Sequence, residues 1–87
     1  MEKIILDACA AALRKAFDVQ EIYVNDFKLM IHWDSERNWF EACGHYSPHS
    51  SSYYFYERTS EELSKSIHEW MDSWGGKGNY KNNYNYE

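Results

Sequence analysis

The feature that most constrains the fold is a pair of alternating segments in residues 19–33, VQEIYVNDFKLMIHW. Asn25 and Asp26 separate the two segments. Two-residue hairpin turns favour Asn and Asp because both central residues need positive φ. Such a turn pairs Val24 with Phe27, and the apolar side chains that then share one side of the sheet are Ile22, Val24, Phe27, Leu29, Ile31 and Trp33. The pattern therefore predicts an antiparallel β-hairpin.

The same alternation predicts where a third strand pairs. A four-residue loop, DSER at 34–37, sets Trp33 opposite Asn38 and Ile31 opposite Phe40. Phe40 and Ala42 then join the apolar side. A loop of five residues would turn Glu41 to that side instead, because a slip of one residue exchanges the two faces of a strand. We therefore expect the four-residue loop.

Residues 44–57 predict a loop followed by a fourth strand. The stretch GHYSPHSSS contains Gly44, Pro48 and several serines, which are typical of loops. The next five residues, YYFYE, are rich in aromatic side chains that suit a pleated surface. The sheet is accordingly expected to have three or four strands.

Two helices are predicted to flank the sheet. Residues 3–17 are rich in Ala and place apolar side chains at helical spacing. Near the other end, TSEE forms a capping box in which Thr59 is the N-cap and Glu62 the N3 residue. The helix that follows carries one apolar stripe, made of Leu63, Ile67, Trp70, Met71 and Trp74, and Gly75-Gly76 suits its end.

These elements predict an α+β fold, in which an antiparallel three- to four-stranded sheet has an N-terminal and a C-terminal helix packed on one face. A chain of 87 residues is too short for two cores. We expect residues 1–76 to form a single domain. Residues 77–87, KGNYKNNYNYE, have no aliphatic side chain and are predicted to be a flexible tail, with Tyr80 and Tyr84 available for contact with a partner.

The sheet face opposite the helices is predicted to be aromatic. The strand register places Tyr23, His32, Trp39 and Glu41 there, and Tyr54 and Tyr56 join them in one register of the fourth strand. Exposed sheet faces are ordinarily polar, whereas aromatic side chains are enriched at protein interfaces. We therefore predict a binding surface for another macromolecule. The alternative is that the long loop, the tail or a second copy in a homodimer covers this face.

The charge balance bears on the kind of partner. Fourteen carboxylates against nine basic residues give a net charge of −5. Nucleic-acid binding usually needs a basic stripe, so direct binding to nucleic acid is disfavoured. Asp34 and Glu36 lie at the tip of a hairpin and are candidates for contact with a basic protein. An acidic surface also keeps a protein soluble, which is the commoner reason for such charges.

Targeting signals and cysteine usage predict a cytoplasmic protein that does not enter membranes. No apolar run reaches the about 20 residues that a membrane span needs. Asp7, Arg14 and Lys15 interrupt the N-terminal apolar stretch, which therefore suits a mature helix better than a secretory signal. Two cysteines, Cys9 and Cys43, are too few for a disulfide framework and are expected to be free thiols.

No set of residues predicts catalysis, a metal site or a cofactor site. Cys43, His45 and His49 have a spacing that could bind a metal, but zinc ordinarily takes four ligands and no fourth is evident. Cys43 beside a histidine lacks an orienting group and an oxyanion site. The stretch GGKGN does not have the spacing of a phosphate-binding loop. We expect a protein that is not an enzyme.

In size, acidity and helix–sheet–helix layout, the chain resembles small phage-encoded inhibitors of bacterial defence, of the anti-CRISPR type, and the stretch TSEELSKSIHEWMDSWGG resembles a phage accessory protein in general style. The resemblance covers no diagnostic motif. The resemblance implies stoichiometric binding to a nucleic-acid-directed enzyme, which is thereby blocked. It transfers no residue role. Two alternatives remain: an immunity protein that neutralises a toxin, and a module that binds a nucleotide by stacking on the aromatic face.

Overall fold

The computed structural model describes residues 2–75. Helix α1 spans Glu2–Arg14 and helix α2 spans Ser60–Gly75. Between them lie four strands, which are β1 (Gln20–Val24), β2 (Phe27–Asp34), β3 (Trp39–Tyr46) and β4 (Ser51–Glu57). The strands form one antiparallel sheet in the order β1-β2-β3-β4. The predicted α+β class is confirmed, and the sheet has its fourth strand. The predicted tail at 77–87 lies outside the described residues.

The first hairpin has the predicted register. Val24 lies opposite Phe27 and Ile22 opposite Leu29. Asn25 adopts a φ of 53°, whereas Asp26 has no positive φ, so only the first central residue meets the requirement that was predicted for both. The turn still falls at Asn25 and Asp26, and it gives the register that the alternation of apolar residues predicts.

The predicted register between β2 and β3 is wrong by two residues. Trp33 lies opposite Phe40, so the connecting loop is 35–38 and not 34–37. Asp34 ends β2 because its carboxylate accepts hydrogen bonds from the backbone N–H groups of Glu36 (3.0 Å) and Arg37 (3.1 Å). Asn38 closes the loop with a φ of 59°. A shift of two residues preserves the faces of the strand, so Phe40 and Ala42 are buried as expected.

The long loop predicted at 44–52 is also wrong. Strand β3 continues to Tyr46 and β4 starts at Ser51, with only a short 3₁₀ turn (Ser47–His49) and Ser50 between them. Gly44 lies within β3 for a packing reason. A Cβ atom at this position would lie 2.6 Å from the ring of Trp70. The glycine thus lets α2 approach the sheet and does not mark a loop.

Both helices pack on the same face of the sheet, as predicted. The core combines helix residues, including Ile5, Cys9, Leu63, Ile67 and Met71, with the inward side chains of the strands. Trp70 joins the layers through edge-on contacts with Phe27 and Phe55, at ring-centroid distances of 5.3 and 5.7 Å. The N-cap half of the capping box is confirmed, because the Thr59 hydroxyl accepts a hydrogen bond from the N–H of Glu62 at 3.1 Å. The Glu62 carboxylate accepts its hydrogen bond from the Thr59 hydroxyl, at 3.2 Å, instead of from the Thr59 N–H.

Helix α1 ends at Arg14, earlier than the predicted residue 17. The apolar stripe stops with Ala12, since Leu13 is 48% exposed and Phe17 is 93% exposed. The chain turns at residues 15–18 to enter β1. This early end places Phe17 in the connection to the sheet, where it bears on the surface described next.

Candidate functional site

The candidate site is the outer face of the sheet, the face opposite the two helices. The observed register arranges its side chains in rows across the strands. One row contains Tyr23, Lys28, His45 and Ser52; the next contains Glu21, Met30, Cys43 and Tyr54; the third contains His32, Glu41 and Tyr56; and Asp34 and Trp39 form the last pair. No helix or strand of residues 2–75 covers these rows.

Large aromatic side chains of this face are open to solvent. Tyr23 and Tyr54 are each 63% exposed, and Tyr56 is 57% exposed. The antiparallel alternation that buries Phe55 turns Tyr54 and Tyr56 outward. The face is therefore an aromatic surface on which a partner could bury much apolar area.

A depression of ≈ 420 Å³ lies in the middle of this face. His32, Glu41, Tyr54 and Tyr56 line it, as predicted for one surface, together with Met30 and Cys43. Phe17 and Val19 form a further wall from the α1–β1 connection. Sequence reasoning missed Phe17 because it assigned that residue to α1, and no local signal marked the earlier end, since Leu13 and Ala16 continue the apolar spacing past Ala12.

The carboxylates of the outer face have partners within the protein. Glu21 pairs with Lys28 at 3.4 Å and accepts a hydrogen bond from the Tyr23 hydroxyl at 3.0 Å. Glu41 lies 3.8 Å from the Arg37 guanidinium and accepts a hydrogen bond from Trp39 Nε1 at 3.0 Å. The face is consequently aromatic and close to charge balance, and it is not a concentrated acidic surface.

Asp34 has a structural role in the β2–β3 turn. The backbone N–H of Arg37 lowers the pKa of the Asp34 carboxyl below its usual range, and the N–H of Glu36 and the Arg37 guanidinium add to this effect. The guanidinium lies 3.2 Å from the carboxylate. Glu36 is exposed in the same turn. Of these two predicted contact residues, Asp34 is held within the turn by the Arg37 side chain and by two backbone N–H groups.

Trp39 is half-buried and held from several sides. Arg37 and Arg58 lie against its ring, at 5.9 and 6.0 Å from the centroid. The Tyr56 ring contacts it edge-on at 6.0 Å. Trp39 therefore supports the end of the outer face as well as contributing to its surface.

A second concave region runs along β4 on the helix side. This groove of ≈ 590 Å³ lies between β4 and α2. Its walls carry the aromatic residues Tyr53, Phe55 and Trp70 and the carboxylates of Glu57 and Glu69. Sequence reasoning did not single out this groove, because it needs α2 to lie beside the edge of the sheet, which only the tertiary packing sets.

The cysteine and histidine side chains do not converge. Cys43 and His45 lie on the outer face, where His45 Nδ1 is 3.0 Å from the Ser52 hydroxyl. His49 instead contacts the rings of Tyr46 and Trp74, at centroid distances of 5.6 and 5.1 Å, and these two rings also contact each other at 5.0 Å. Within residues 2–75, no group of three His, Cys, Asp or Glu side chains is placed to hold a metal ion.

The structure thus brings together His32, Glu41, Tyr54 and Tyr56 around the depression, with Trp39 beside them. Tyr23 lies on the same face but at the far edge, on β1. Asp34 and Glu36 belong to the turn at the other end. Tyr80 and Tyr84 lie outside the described residues.

Comparison of the chain with known protein families, with curated protein sequences and with solved structures finds no match. Neither helix of the described part of the chain has the length and apolar character to cross a membrane.

Proposed function

We propose that this protein is a small acidic inhibitor that binds a protein target stoichiometrically and thereby blocks a nucleic-acid-directed enzyme of bacterial defence. The observation that supports protein binding is the outer face, where Tyr54 and Tyr56 stand exposed at the depression and Tyr23 stands exposed at the far edge of the same face. Exposed aromatic side chains of this kind supply the anchors of protein interfaces. The net charge of −5 favours a basic target, such as an enzyme that handles nucleic acid.

The depression suits a protein side chain better than a nucleotide. Tyr54 and Tyr56 could stack on a base, but no Lys or Arg of residues 2–75 lines the depression, and Glu41 adds a negative charge. A phosphate group would therefore lack a cationic partner there. The same lining accommodates an apolar or aromatic side chain of a protein partner.

A plasmid-interference assay tests the proposal. Bacteria with an active RNA-guided nuclease are transformed with a targeted plasmid, with and without this protein. We expect the protein to restore transformation and the double variant Tyr54→Ser/Tyr56→Ser to lose that effect. The control is Leu13→Ser, which removes an exposed apolar side chain on the helical side of the molecule.

Two results would contradict the proposal. One is a failure to restore transformation against a panel of RNA-guided nucleases. The other is restoration that the double variant retains in full. Rescue of cells from a nuclease toxin, without any effect on interference, would favour the immunity-protein alternative instead.

A further inference from the structure

The open edge of β4 has the features of a strand that pairs with another chain. Among the described strands, β4 pairs on one side only, with β3. Its sequence, SSYYFYE, contains neither Pro nor Lys, and its register with β3 runs without a bulge. Proline, lysine and β-bulges ordinarily protect edge strands from pairing. Because β4 has none of them, a further strand can add to its open edge.

The register shows which backbone groups face this edge. The two-residue turn makes Val24 and Phe27 a hydrogen-bonded pair, and such pairs alternate along antiparallel strands. The backbone N–H and C=O groups of even-numbered β2 residues therefore form hydrogen bonds with β3. The hydrogen bond from the Ser47 N–H to the Asp26 carbonyl, at 3.1 Å, agrees with this alternation. The registers of β2 with β3 and of β3 with β4 are continuous, so the same alternation applies to β4. The backbone N–H and C=O groups of Ser52, Tyr54 and Tyr56 therefore point to the open edge.

The groove beside this edge fixes the chemistry of a partner. A strand added to β4 would direct alternate side chains towards α2, into the groove that Glu57 and Glu69 line. Glu57 accepts a hydrogen bond from the Ser66 hydroxyl at 2.7 Å. Within the described part of the chain, no Lys or Arg lines the groove, so its two carboxylates complement a basic side chain, and its aromatic walls complement the apolar stem of that side chain.

We propose that β4 binds an extended segment of the target protein as a fifth strand, with a Lys or Arg side chain of that segment lying in the groove between β4 and α2. This inference rests on the proposed function, because it assumes that the target is a protein. It adds the mode of binding, which is strand addition, and the chemistry of the recognised segment, which is extended and basic.

Peptide display on the full chain tests the inference without a known target. Random dodecapeptides are selected for binding to the protein, and the affinities of the selected peptides are then measured for the wild type and for the variants below. We expect the selected peptides to carry Lys or Arg among β-forming residues. On binding, the amide protons of Ser52, Tyr54 and Tyr56 should become protected from exchange, whereas those of Tyr53 and Phe55 are protected beforehand.

A matched pair of variants separates the backbone of Tyr54 from its side chain. Tyr54→Pro removes the N–H that faces the open edge, and an edge strand tolerates Pro at such a position. Tyr54→Ser keeps the N–H and removes the ring. We expect Tyr54→Pro to bind the selected peptides roughly tenfold more weakly than Tyr54→Ser does. The exchange measurement on the wild type decides the question if the Pro variant does not fold.

A second pair tests the charge. Glu69→Gln should weaken binding several-fold and reduce its dependence on salt, because it removes one groove carboxylate. Glu61→Gln makes the same change of charge on the same helix, outside the groove, and should leave binding unchanged.

Several results would overturn the inference. They are equal binding by Tyr54→Pro and Tyr54→Ser, selected peptides without basic residues, a stable dimer through β4 in sedimentation, and peptide binding that appears only after residues 77–87 are deleted.

Failure of this inference is distinct from failure of the proposed function. If strand addition fails while the plasmid assay still responds to Tyr54→Ser/Tyr56→Ser, the outer face binds the target by itself. If basic peptides bind β4 but interference is unaffected, the target class is wrong.

Discussion

At the scale of single residues, burial separates the two cysteines. Cys9 is fully buried between α1 and the rest of the core, whereas Cys43 lies half-buried on the outer face. Burial raises the pKa of the Cys9 thiol to about 11; a hydrogen bond with Ser60 opposes the increase and the charge of Glu61 adds to it. Cys9 therefore acts as a small apolar core residue and not as a reactive thiol.

Stability should depend on pH through Cys9. The unfolded chain ionises this thiol near pH 9.0 and the folded protein only near pH 11, so its contribution is complete below pH 9 and is lost as pH rises towards 11. We expect the free energy of unfolding of the wild type to fall in this window more steeply than that of Cys9→Ala, by up to about 2–3 kcal/mol in total. Urea titrations at a series of pH values measure the difference; identical slopes for the two proteins would contradict it.

Gly44 should be intolerant of a side chain. The Cβ of Gly44→Ala would lie 2.6 Å from a ring carbon of Trp70, so the indole or the strand must move. Overpacking of this kind costs about 1–3 kcal/mol. We expect a correspondingly lower urea midpoint, and partial recovery of stability in Gly44→Ala/Trp70→Phe, which has the smaller ring. An unchanged midpoint for Gly44→Ala would mean that α2 lies further from β3.

At the scale of elements, short polar side chains set where strands and helices begin and end. The Asp34 carboxylate binds two backbone N–H groups and so closes the β2–β3 turn. Thr59 performs the equivalent function at the start of α2, and the Glu62 carboxylate accepts a hydrogen bond from its hydroxyl at 3.2 Å. Both local motifs satisfy donors that would otherwise lack partners.

Removal of the α2 cap should destabilise the protein measurably. Thr59→Ala leaves the N–H of Glu62 without its acceptor, and loss of an N-cap costs about 0.5–2 kcal/mol. Thr59→Ser keeps the hydroxyl and should remain close to the wild type. Thermal and urea unfolding of the three proteins give the comparison, and equal stability of Thr59→Ala and Thr59→Ser would show that the cap contributes nothing.

At the scale of the whole molecule, the two faces of the sheet differ in burial and, as we propose, in role. The inner face and both helices form one continuous core, in which Trp70 contacts β2 and β4. The outer face keeps its tyrosines in solvent and its charges paired. Trp70 and the outer-face tyrosines thus differ in their packing according to the face they occupy.

Two aromatic substitutions should separate these roles. Trp70→Ala removes a ring between the layers and is expected to cost about 3–5 kcal/mol of unfolding free energy. Tyr54→Ala removes an exposed ring and should change stability by no more than about 0.5 kcal/mol. Chemical denaturation measures both variants. A large loss of stability in Tyr54→Ala would mean that the outer face is covered in solution, by a second copy or by residues 77–87.

The sequence by itself determined the elements whose signals are local. Asn25-Asp26 defined the first hairpin, Thr59 and Glu62 defined the start of α2, and alternation assigned the residues of β1 and β2 and residues 39–43 of β3 to a face, whereas it left the face of Tyr54 and Tyr56 open. Since the side-chain period of a strand is two residues, even the β2–β3 register, wrong by two, left the predicted outer-face residues on the outer face. The aromatic character of this face therefore followed from the sequence.

Only the tertiary structure decided features that depend on residues distant in the chain. Gly44 has the same local signature in a loop as in a strand, and contact with Trp70 alone explains its place in β3. Phe17 joined the outer face because α1 ended early, and the groove between β4 and α2 exists because that helix lies beside the sheet edge. Packing between separate elements sets such distances, and no local pattern encodes them.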